Sequence, residues 1–435
     1  MSQKRYIGNL QVAGMACSVL SVANMLSLPM ALTQLSLQDS LYTFFFAALY
    51  CIGIAFLLYK LAERVPGKNM FEIAKHLCGN WLGSILNLLL IGYLLYDLVG
   101  LLRIFADYFN SSILLRTPLE FIILITVAVL VYFGSGSIED LVRTNDLFIP
   151  IFIIFFLLDP LLFLNEIDLT QLQPSLSGSW ISPYQSGLLG MGAFGDIIVI
   201  GSFLNNVKSP RSFYISVRGG IMLSALALTI WIFLVITVVS PITASRIIYI
   251  GWILVQQIHI TDFLDRVDLV LISSWLPLLL IKMLILYLSI LTGLATFTKD
   301  NSYKRLNMMT GLMIILLTTV SFKNVMEVVT FSNYGILPIT FTVEILFFGA
   351  LFGALWLRRR EKTELHREDK SRAGRGMWIA LAGCFAAIVF GNFFGHLRGF
   401  YGAISVIAYI LFMILSVILA LNEYSRIKLS QNKGS

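Results

Sequence analysis

Long apolar runs separated by short polar segments account for most of this sequence. A transmembrane helix needs about 20 predominantly apolar residues, so the runs predict about twelve spanning helices. The alternation of apolar and polar residues that is typical of a membrane β-barrel is absent. We therefore predict an all-α integral membrane protein, built as a polytopic helical bundle. The predicted spans cover residues 7–33, 41–60, 81–109, 119–135, 144–164, 185–206, 213–240, 266–297, 306–321, 331–357, 377–394 and 401–421.

One apolar run, GLLGMGAFGDIIVIG at residues 187–201, contains a cluster of glycines followed by Asp196. Glycine in a helix interior is less favourable than alanine by about 1 kcal/mol, so this cluster predicts unwound backbone in the sixth span. Unwound backbone within a membrane must be buried in protein or line a cavity. The start of a second half-helix is also a favourable place for a carboxylate in a membrane. The stretch therefore predicts a binding site.

The first span carries a second candidate interruption, SVANMLSLPM at residues 21–30. Small and polar residues followed by Pro29 disfavour a continuous helix at this depth. Transporters built from two inverted repeats of five helices place broken helices at matching positions in the two halves. We therefore predict a five-plus-five inverted-repeat transporter fold with broken helices 1 and 6. The alternative is that Pro29 only kinks or ends an ordinary helix.

The composition is typical of a membrane protein. Of 435 residues, 58% are hydrophobic and 13% are charged, whereas a soluble domain carries about 25% charged residues. The mean hydropathy is +0.85. The net charge of +7 does not indicate nucleic-acid binding, because most Lys and Arg residues fall in loops on one side of the predicted bundle. By the positive-inside rule, that side and both termini face the cytoplasm.

A long charged segment divides the predicted spans into two groups. We predict a ten-span core over residues 1–357, a cytoplasmic linker over 358–376, an extra two-helix C-terminal module over 377–422 and a cytoplasmic tail over 423–435. The linker is interpreted as a solvated loop, and the alternative is a basic patch for anionic lipid or a partner.

Several ionisable residues lie inside predicted spans. At about 1.5 Å per residue, Lys282 is roughly 20 Å from the charged ends of its helix, so it must face the bundle interior and a partner. Its role is either functional or that of a structural ion pair. Asp97 is a candidate partner for Lys282 or for a ligand amine, and the role of Glu344 stays open. Arg103 and Asp107, four residues apart, predict an intrahelical ion pair.

The sequence contains no pattern that indicates metal, redox or catalytic chemistry. Its four cysteines form no CxxC pair and its four histidines are far apart, so we predict no metal site and no cofactor. No P-loop, dinucleotide-binding glycine pattern, HExxH or nucleophile–histidine pattern occurs. We do not expect an enzyme.

The candidate site combines the two interruptions with the charged residues at mid-depth. The predicted ligand-binding residues are Ala23, Asn24, Met25, Asp97, Gly192, Ala193, Phe194, Gly195, Asp196 and Lys282.

Several short motifs follow one another in a distinctive order. They are LSLP ending at Pro29, Asp39 opening the second span, LAERVPGKNMFEIAKHLCGNWLG after that span, LLRIFADYF in the third span, RTP at 116–118, GSIEDLVRTNDLFIP at 136–150, and FLDRVDLVLISSW at 263–275 followed by Lys282. In this order they resemble the spore germination permease family, the B subunits of endospore germinant receptors, within the amino acid, polyamine and organocation transporter superfamily. The resemblance covers about residues 6–357, and the family usually ends after ten spans.

The resemblance implies a germinant-sensing subunit in the spore inner membrane. Such a subunit works with a larger A-type subunit and a lipoprotein C-type subunit, and it binds a small nutrient such as an amino acid. For an amino-acid ligand we expect the amine to face Asp196 and the carboxylate to face the interruption of the first span. Two alternatives stay open: a proton-coupled amino acid permease that uses the same pocket, and a structural membrane anchor in which the polar residues only pack.

Overall fold

The protein is described by a computed structural model over residues 7–176, 181–207, 209–256, 267–298, 304–357, 375–394 and 399–432. Most of the predicted charged linker, residues 358–374, lies outside this range.

Helices make up most of the described chain. They are α1 (Asn9–Ser21), α2 (Leu28–Ser36), α3 (Thr43–Arg64), α4 (Met70–Ser112), α5 (Leu119–Gly134), α6 (Ile138–Leu162), α7 (Ser182–Phe194), α8 (Pro210–Leu234), α9 (Pro241–Ala244), α10 (Ile250–Gln256), α11 (Val267–Ala295), α12 (Lys304–Val320), α13 (Val325–Thr330), α14 (Ile336–Leu357), α15 (Arg375–Phe394) and α16 (Gly399–Asn432). Within the described ranges nine helical segments are long and apolar enough to cross a membrane, and two shorter apolar helices accompany them. The prediction of a multi-pass, all-α membrane protein is confirmed, and the count of twelve spans stays a prediction.

The helices form two groups around the centre of the bundle. In the first group α1 packs on α8, and α3 packs on both α7 and α8. In the second group α4 packs on α5, α11 and α12. Helix α14 contacts α4 and α7 and therefore connects the two groups. The polar residues described below lie where these groups meet.

The first span is interrupted between α1 and α2. A single 3₁₀ turn, Ala23–Met25, separates the two helices. The side-chain amide of Asn24 donates to the carbonyl of Leu20 at 2.7 Å, which satisfies a backbone acceptor near the end of α1. Pro29 lies in the first turn of α2, where its missing N–H group and fixed φ angle fit a helix start.

The sixth span does not unwind at its glycine cluster. Helix α7 is continuous from Ser182 to Phe194, and 3₁₀ turns continue directly from Gly195 to Asn206. The prediction of unwound backbone through Gly187, Gly190 and Gly192 is therefore wrong. What changes at Gly195 is the type of helix.

The reason for the glycines is close packing against two neighbouring helices. A Cβ atom at Gly190 would lie 2.5 Å from the Cγ2 atom of Thr43 on α3, and one at Gly192 would lie 2.7 Å from Leu337 on α14. Gly195 lies directly against Thr340 of α14. Small residues let helices approach closely in a membrane, so the cluster brings α7 close to α3 and α14.

The two C-terminal helices are packed onto the rest of the bundle. They contact each other, and α16 also packs on α8, where the Arg218 guanidinium donates to Glu423 in a buried ion pair. At the other end of α16, the rings of Tyr409 and Tyr42 meet edge to face with centroids 5.0 Å apart.

The Gly195→Ala substitution tests the packing role of this glycine. The added methyl group would overlap Thr340, and overpacking of this kind costs about 1–3 kcal/mol. We expect that loss in the free energy of unfolding of the detergent-solubilised protein. The control is Gly92→Ala, because a Cβ atom there meets nothing within 4 Å, and the change should be neutral or stabilising by up to about 1 kcal/mol. Equal effects of the two substitutions would contradict the packing role.

Candidate functional site

The centre of the bundle holds a buried ion pair. Lys282 of α11 donates to Asp196, with Nζ and Oδ2 2.5 Å apart, and the two side chains are 2% and 6% exposed. A lysine at the centre of a bilayer costs at least about 2.5–3.5 kcal/mol on insertion scales, and the carboxylate offsets this cost. The prediction that Lys282 faces the bundle interior is confirmed, and its direct partner is Asp196.

One hydroxyl group donates to the other side of the Asp196 carboxylate, and a second hydroxyl group donates to the first. Tyr93 of α4 donates to Asp196 Oδ1 at 3.4 Å, and Thr340 of α14 donates to the Tyr93 hydroxyl at 3.3 Å. Asp196 itself lies in the first turn of the 3₁₀ segment that follows α7. The carboxylate therefore connects three parts of the bundle besides its own segment: α4, α11 and, through Tyr93, α14.

Asp97 lies one helical turn after Tyr93 on α4. Its carboxyl group lies within hydrogen-bonding reach of the Asp196 carboxyl group and interacts electrostatically with Lys282, yet its buried Oδ2 atom accepts no hydrogen bond from the described residues. A buried carboxylate without a partner is strongly unfavourable. Because two carboxyl groups lie beside one ammonium group, which pairs with Asp196, the cluster can take a further cation or hold a proton on one carboxyl group.

A cavity of about 60 Å³ opens beside this cluster. We call it the central cavity. Of the predicted ligand-binding residues, those that line it are Ala23, Asn24, Asp97, Gly192, Ala193, Asp196 and Lys282. The interruption of the first span, the sixth span and the mid-depth charges therefore meet at one place, as the sequence predicts, although their role in binding stays a prediction.

The other three predicted residues do not line the central cavity. Met25 faces a different cavity. Phe194 is fully buried, and its ring packs against Phe44 with centroids 5.7 Å apart. Gly195 lies against Thr340. The prediction assigned whole runs of residues to the pocket, whereas successive residues of a helical segment point in different directions.

The sequence reasoning missed the contribution of the tenth span. Between α13 and α14 the segment Phe331–Gly335 forms a wide π-helical turn, and its Ser332 and Asn333 line the central cavity. The Ser27 hydroxyl donates to Asn333 Oδ1 at 3.2 Å, and the Asn333 amide donates to the Ser27 carbonyl at 3.3 Å. Two adjacent polar residues inside an apolar run were the available signal. The first and tenth spans are thus joined at the cavity.

Two other sets of charged residues inside the spans have defined contacts. The intrahelical pair is confirmed, since Arg103 Nε donates to Asp107 Oδ2 at 3.1 Å. Glu344 accepts a hydrogen bond from the hydroxyl of Tyr50, and its other carboxylate oxygen is buried without a partner among the described residues. It does not line the central cavity.

Comparisons with known proteins agree with this architecture. Residues 6–346 match a protein family described as spore germination protein. The Bacillus subtilis protein YfkT, named for spore germination, is 28% identical over 255 residues, which cover 58% of this chain and 70% of that protein. Spore germination protein B2 of the same organism is 23% identical over 273 residues, covering 61% of this chain and 73% of that protein.

Solved structures of transporters share the fold. Mhp1, a nucleobase-cation-symport-1 family transporter in a closed conformation with bromovinylhydantoin bound, aligns over 97% of this chain and 96% of its own, at 16% identity and a TM-score of 0.55. MhsT in complex with L-phenylalanine aligns over 94% of this chain and 100% of its own, at 14% identity and a TM-score of 0.54. The fold is therefore that of the LeuT-type transporters with inverted repeats, which is the predicted fold class.

The ion pair can be tested by removing the lysine alone and both partners together. Lys282→Met leaves two buried carboxylates without their cation, and breaking a buried pair in this way costs about 3–5 kcal/mol of unfolding free energy. The double variant Lys282→Met with Asp196→Asn should recover most of the loss, because removing both partners is often close to neutral. Chemical denaturation in detergent measures both values.

The control for this series is Lys323→Met. Lys323 is exposed, and a surface change of this kind usually stays within about 0.5 kcal/mol. A Lys282→Met variant as stable as Lys323→Met would show that the central ion pair does not support the fold.

Proposed function

Since this chain belongs to the spore germination protein family, we propose that it is the nutrient-sensing membrane subunit of a bacterial spore germinant receptor. In this proposal a small amino acid binds in the central cavity. The observation that carries it is the unpartnered Oδ2 atom of Asp97, buried beside the Asp196–Lys282 pair at the interruption of the first span. A ligand ammonium group would supply the missing partner through a charge-assisted hydrogen bond.

The same cavity offers a place for the carboxylate of the ligand. Ser27 and Leu28, at the start of α2, line the cavity, and no side chain caps this helix start. The free N–H groups and the dipole at the start of a helix favour an anion. An amino acid would therefore place its carboxylate at the start of α2 and its ammonium group on Asp97.

This orientation differs from the sequence-based one in a single respect. The sequence-based orientation directs the amine to Asp196, but Lys282 already occupies that carboxylate at 2.5 Å. Asp97 takes over this role in the proposal. The cavity volume of about 60 Å³ favours a ligand with a small side chain.

Sensing requires that the ligand bind one arrangement of the bundle more tightly than another. The central cavity is enclosed by the first, third, sixth, eighth and tenth spans, so a ligand that contacts all of them stabilises one relative position. Partner subunits that prefer the same arrangement would then respond to the ligand. We propose that these partners are the A-type and lipoprotein C-type receptor subunits, in the spore inner membrane, with both termini of this chain in the cytoplasm.

A second candidate function is proton-coupled amino acid transport. It is favoured by the charge excess of the cluster, in which Asp97 or Asp196 could carry a proton. It is also favoured by a further cavity of about 320 Å³. This cavity lies at the ends of α4, α6, α11 and the 3₁₀ segment of the sixth span. Its wall includes polar residues such as Asn69, Ser202 and Thr292. A permease would need such a path to the membrane surface.

The ligand site is tested by binding of the common L-amino acids to the purified full-length protein. We expect at least one small amino acid to raise the unfolding temperature in a saturable way. Asp97→Asn should lower the affinity for that amino acid at least tenfold, because the substitution removes the negative charge that faces the ammonium group. Asp168→Asn, at an exposed aspartate, should bind as the unmodified protein does. Unchanged affinity in Asp97→Asn would contradict the site.

Uptake by liposomes separates the two functions. The purified protein is reconstituted without any partner, and uptake of the radiolabelled amino acid that stabilises it is measured with and without a proton gradient. A receptor should bind the amino acid and accumulate none of it. Accumulation that depends on the gradient would contradict the receptor proposal and support the permease.

A further inference from the structure

A second cavity lies between α6, α8, α10 and α11, on the other side of the first-span interruption. We call it the aromatic cavity. Its volume is about 70 Å³, and none of its lining residues lines the central cavity. Met25 and Leu26 form part of its wall, whereas Ala23 and Asn24 line the central cavity. The interruption of the first span therefore separates two distinct cavities.

Aromatic rings make up most of the wall of this second cavity. The Tyr108 ring meets the rings of Trp252 and Trp275 edge to face, with centroids 6.3 Å and 5.9 Å apart. On another wall the rings of Phe156 and Trp231 lie 5.9 Å apart. The faces of such rings attract cations, and Trp does so most strongly. An enclosure of several rings is the kind of site that proteins use for organic ammonium groups.

A buried carboxylate lies in the same enclosure. Asp159, on α6, is 4% exposed and is the one charged residue among those that line the cavity. Its Oδ1 atom has no hydrogen-bond partner among the described residues. Because a buried carboxylate without a partner is costly, Asp159 needs either a proton or a cation, and these lining residues provide no cation.

The cavity also contains an unsatisfied donor. The indole Nε1–H group of Trp231 is buried and has no acceptor among the described residues. An acceptor without a donor and a donor without an acceptor thus line one small space. Unsatisfied buried polar groups are rare in native proteins, and a bound molecule or water that pairs with them is a common explanation.

We propose that the aromatic cavity is a binding site for a small organic ammonium ion. The ammonium group lies on Asp159 between the ring faces, and a hydroxyl or carbonyl oxygen of the ligand accepts from Trp231. The volume of about 70 Å³ is about half that of a cavity of about 150 Å³ that holds benzene. It therefore has room for an ammonium group and a short carbon chain.

This site is independent of the proposed amino-acid site, although the two share a wall. The indole N–H of Trp275 donates to the carbonyl of Val22 at 3.0 Å, so a ring of the aromatic cavity is bonded directly to the first-span interruption. A ligand there contacts the segment that also borders the central cavity.

Titration calorimetry with propylammonium chloride tests whether the Asp159 carboxylate binds an ammonium group. The purified full-length protein is titrated at constant ionic strength, with 1-propanol as the uncharged probe of similar shape. We expect saturable binding of propylammonium and none of propanol. Asp159→Asn should lower the affinity for propylammonium at least tenfold. The control is Asp168→Asn, at an exposed aspartate that follows α6, and it should change the affinity by less than twofold.

A second probe tests whether the indole N–H group of Trp231 donates a hydrogen bond to the ligand. Ethanolammonium differs from propylammonium by a hydroxyl group in place of a methyl group, and its oxygen can accept from Trp231. Trp231→Phe keeps an aromatic ring and removes the N–H group. The substitution should lower the affinity for ethanolammonium by a factor at least three times larger than the factor by which it lowers the affinity for propylammonium.

Two results would overturn the proposal. One is the absence of saturable propylammonium binding to protein that is monodisperse and has the expected helical circular dichroism. The other is propylammonium binding that survives Asp159→Asn and is lost in Asp97→Asn, which would place the ammonium group in the central cavity. Because neither probe is an amino acid, failure of this site leaves the proposed amino-acid site untouched.

Discussion

The charged cluster of Lys282, Asp196 and Asp97 constrains the rest of the bundle. A charge at membrane depth must face the protein interior and find a partner there, and these three residues come from three different spans. The Lys282–Asp196 pair requires α11 and the sixth span to lie together, and the Tyr93 and Thr340 hydroxyl groups extend the requirement to α4 and α14. The glycines of α7 then allow the sixth span to approach its neighbours closely enough.

The interruption of the first span borders a cavity on each of two sides. On one side, Ala23 and Asn24 border the central cavity with its excess carboxylate. On the other side, Met25 and Leu26 border the aromatic cavity with Asp159. Both cavities therefore combine a buried, incompletely paired carboxylate with a wall made of the same short segment. If the bundle has two arrangements, a short segment of this kind is well placed to respond to either of the two proposed ligands.

Much of this architecture is readable from the sequence, because membrane depth imposes strict rules. Apolar length predicts the spans, and the cost of burying Lys282 predicts that it faces inward. The glycine cluster shows where such reading fails. Glycine is unfavourable in a helix and favourable at a close helix contact, and only the position of α3 and α14 decides between unwinding and packing. The same limit applies to Met25 and Phe194, whose direction depends on how each segment turns.

Residues far apart in the chain were the hardest to anticipate. Asn333 is hydrogen-bonded to Ser27, 306 positions away in the sequence. The role proposed for Asp159 depends on aromatic rings that four other segments place around it. Neither residue stands in a recognisable motif. Pairing of this kind is a property of the assembled bundle.

A ligand that occupies the space beside the first-span interruption should protect this segment from chemical modification. The measurement is the labelling rate of a cysteine introduced as Ala23→Cys, at a position that lines the central cavity. The amino acid that stabilises the protein should slow labelling of this thiol at least tenfold, while a thiol introduced as Arg116→Cys, at an exposed position, should react equally fast with and without ligand. Equal labelling rates at Ala23→Cys in the presence and absence of that amino acid at saturation would show that no ligand occupies this space.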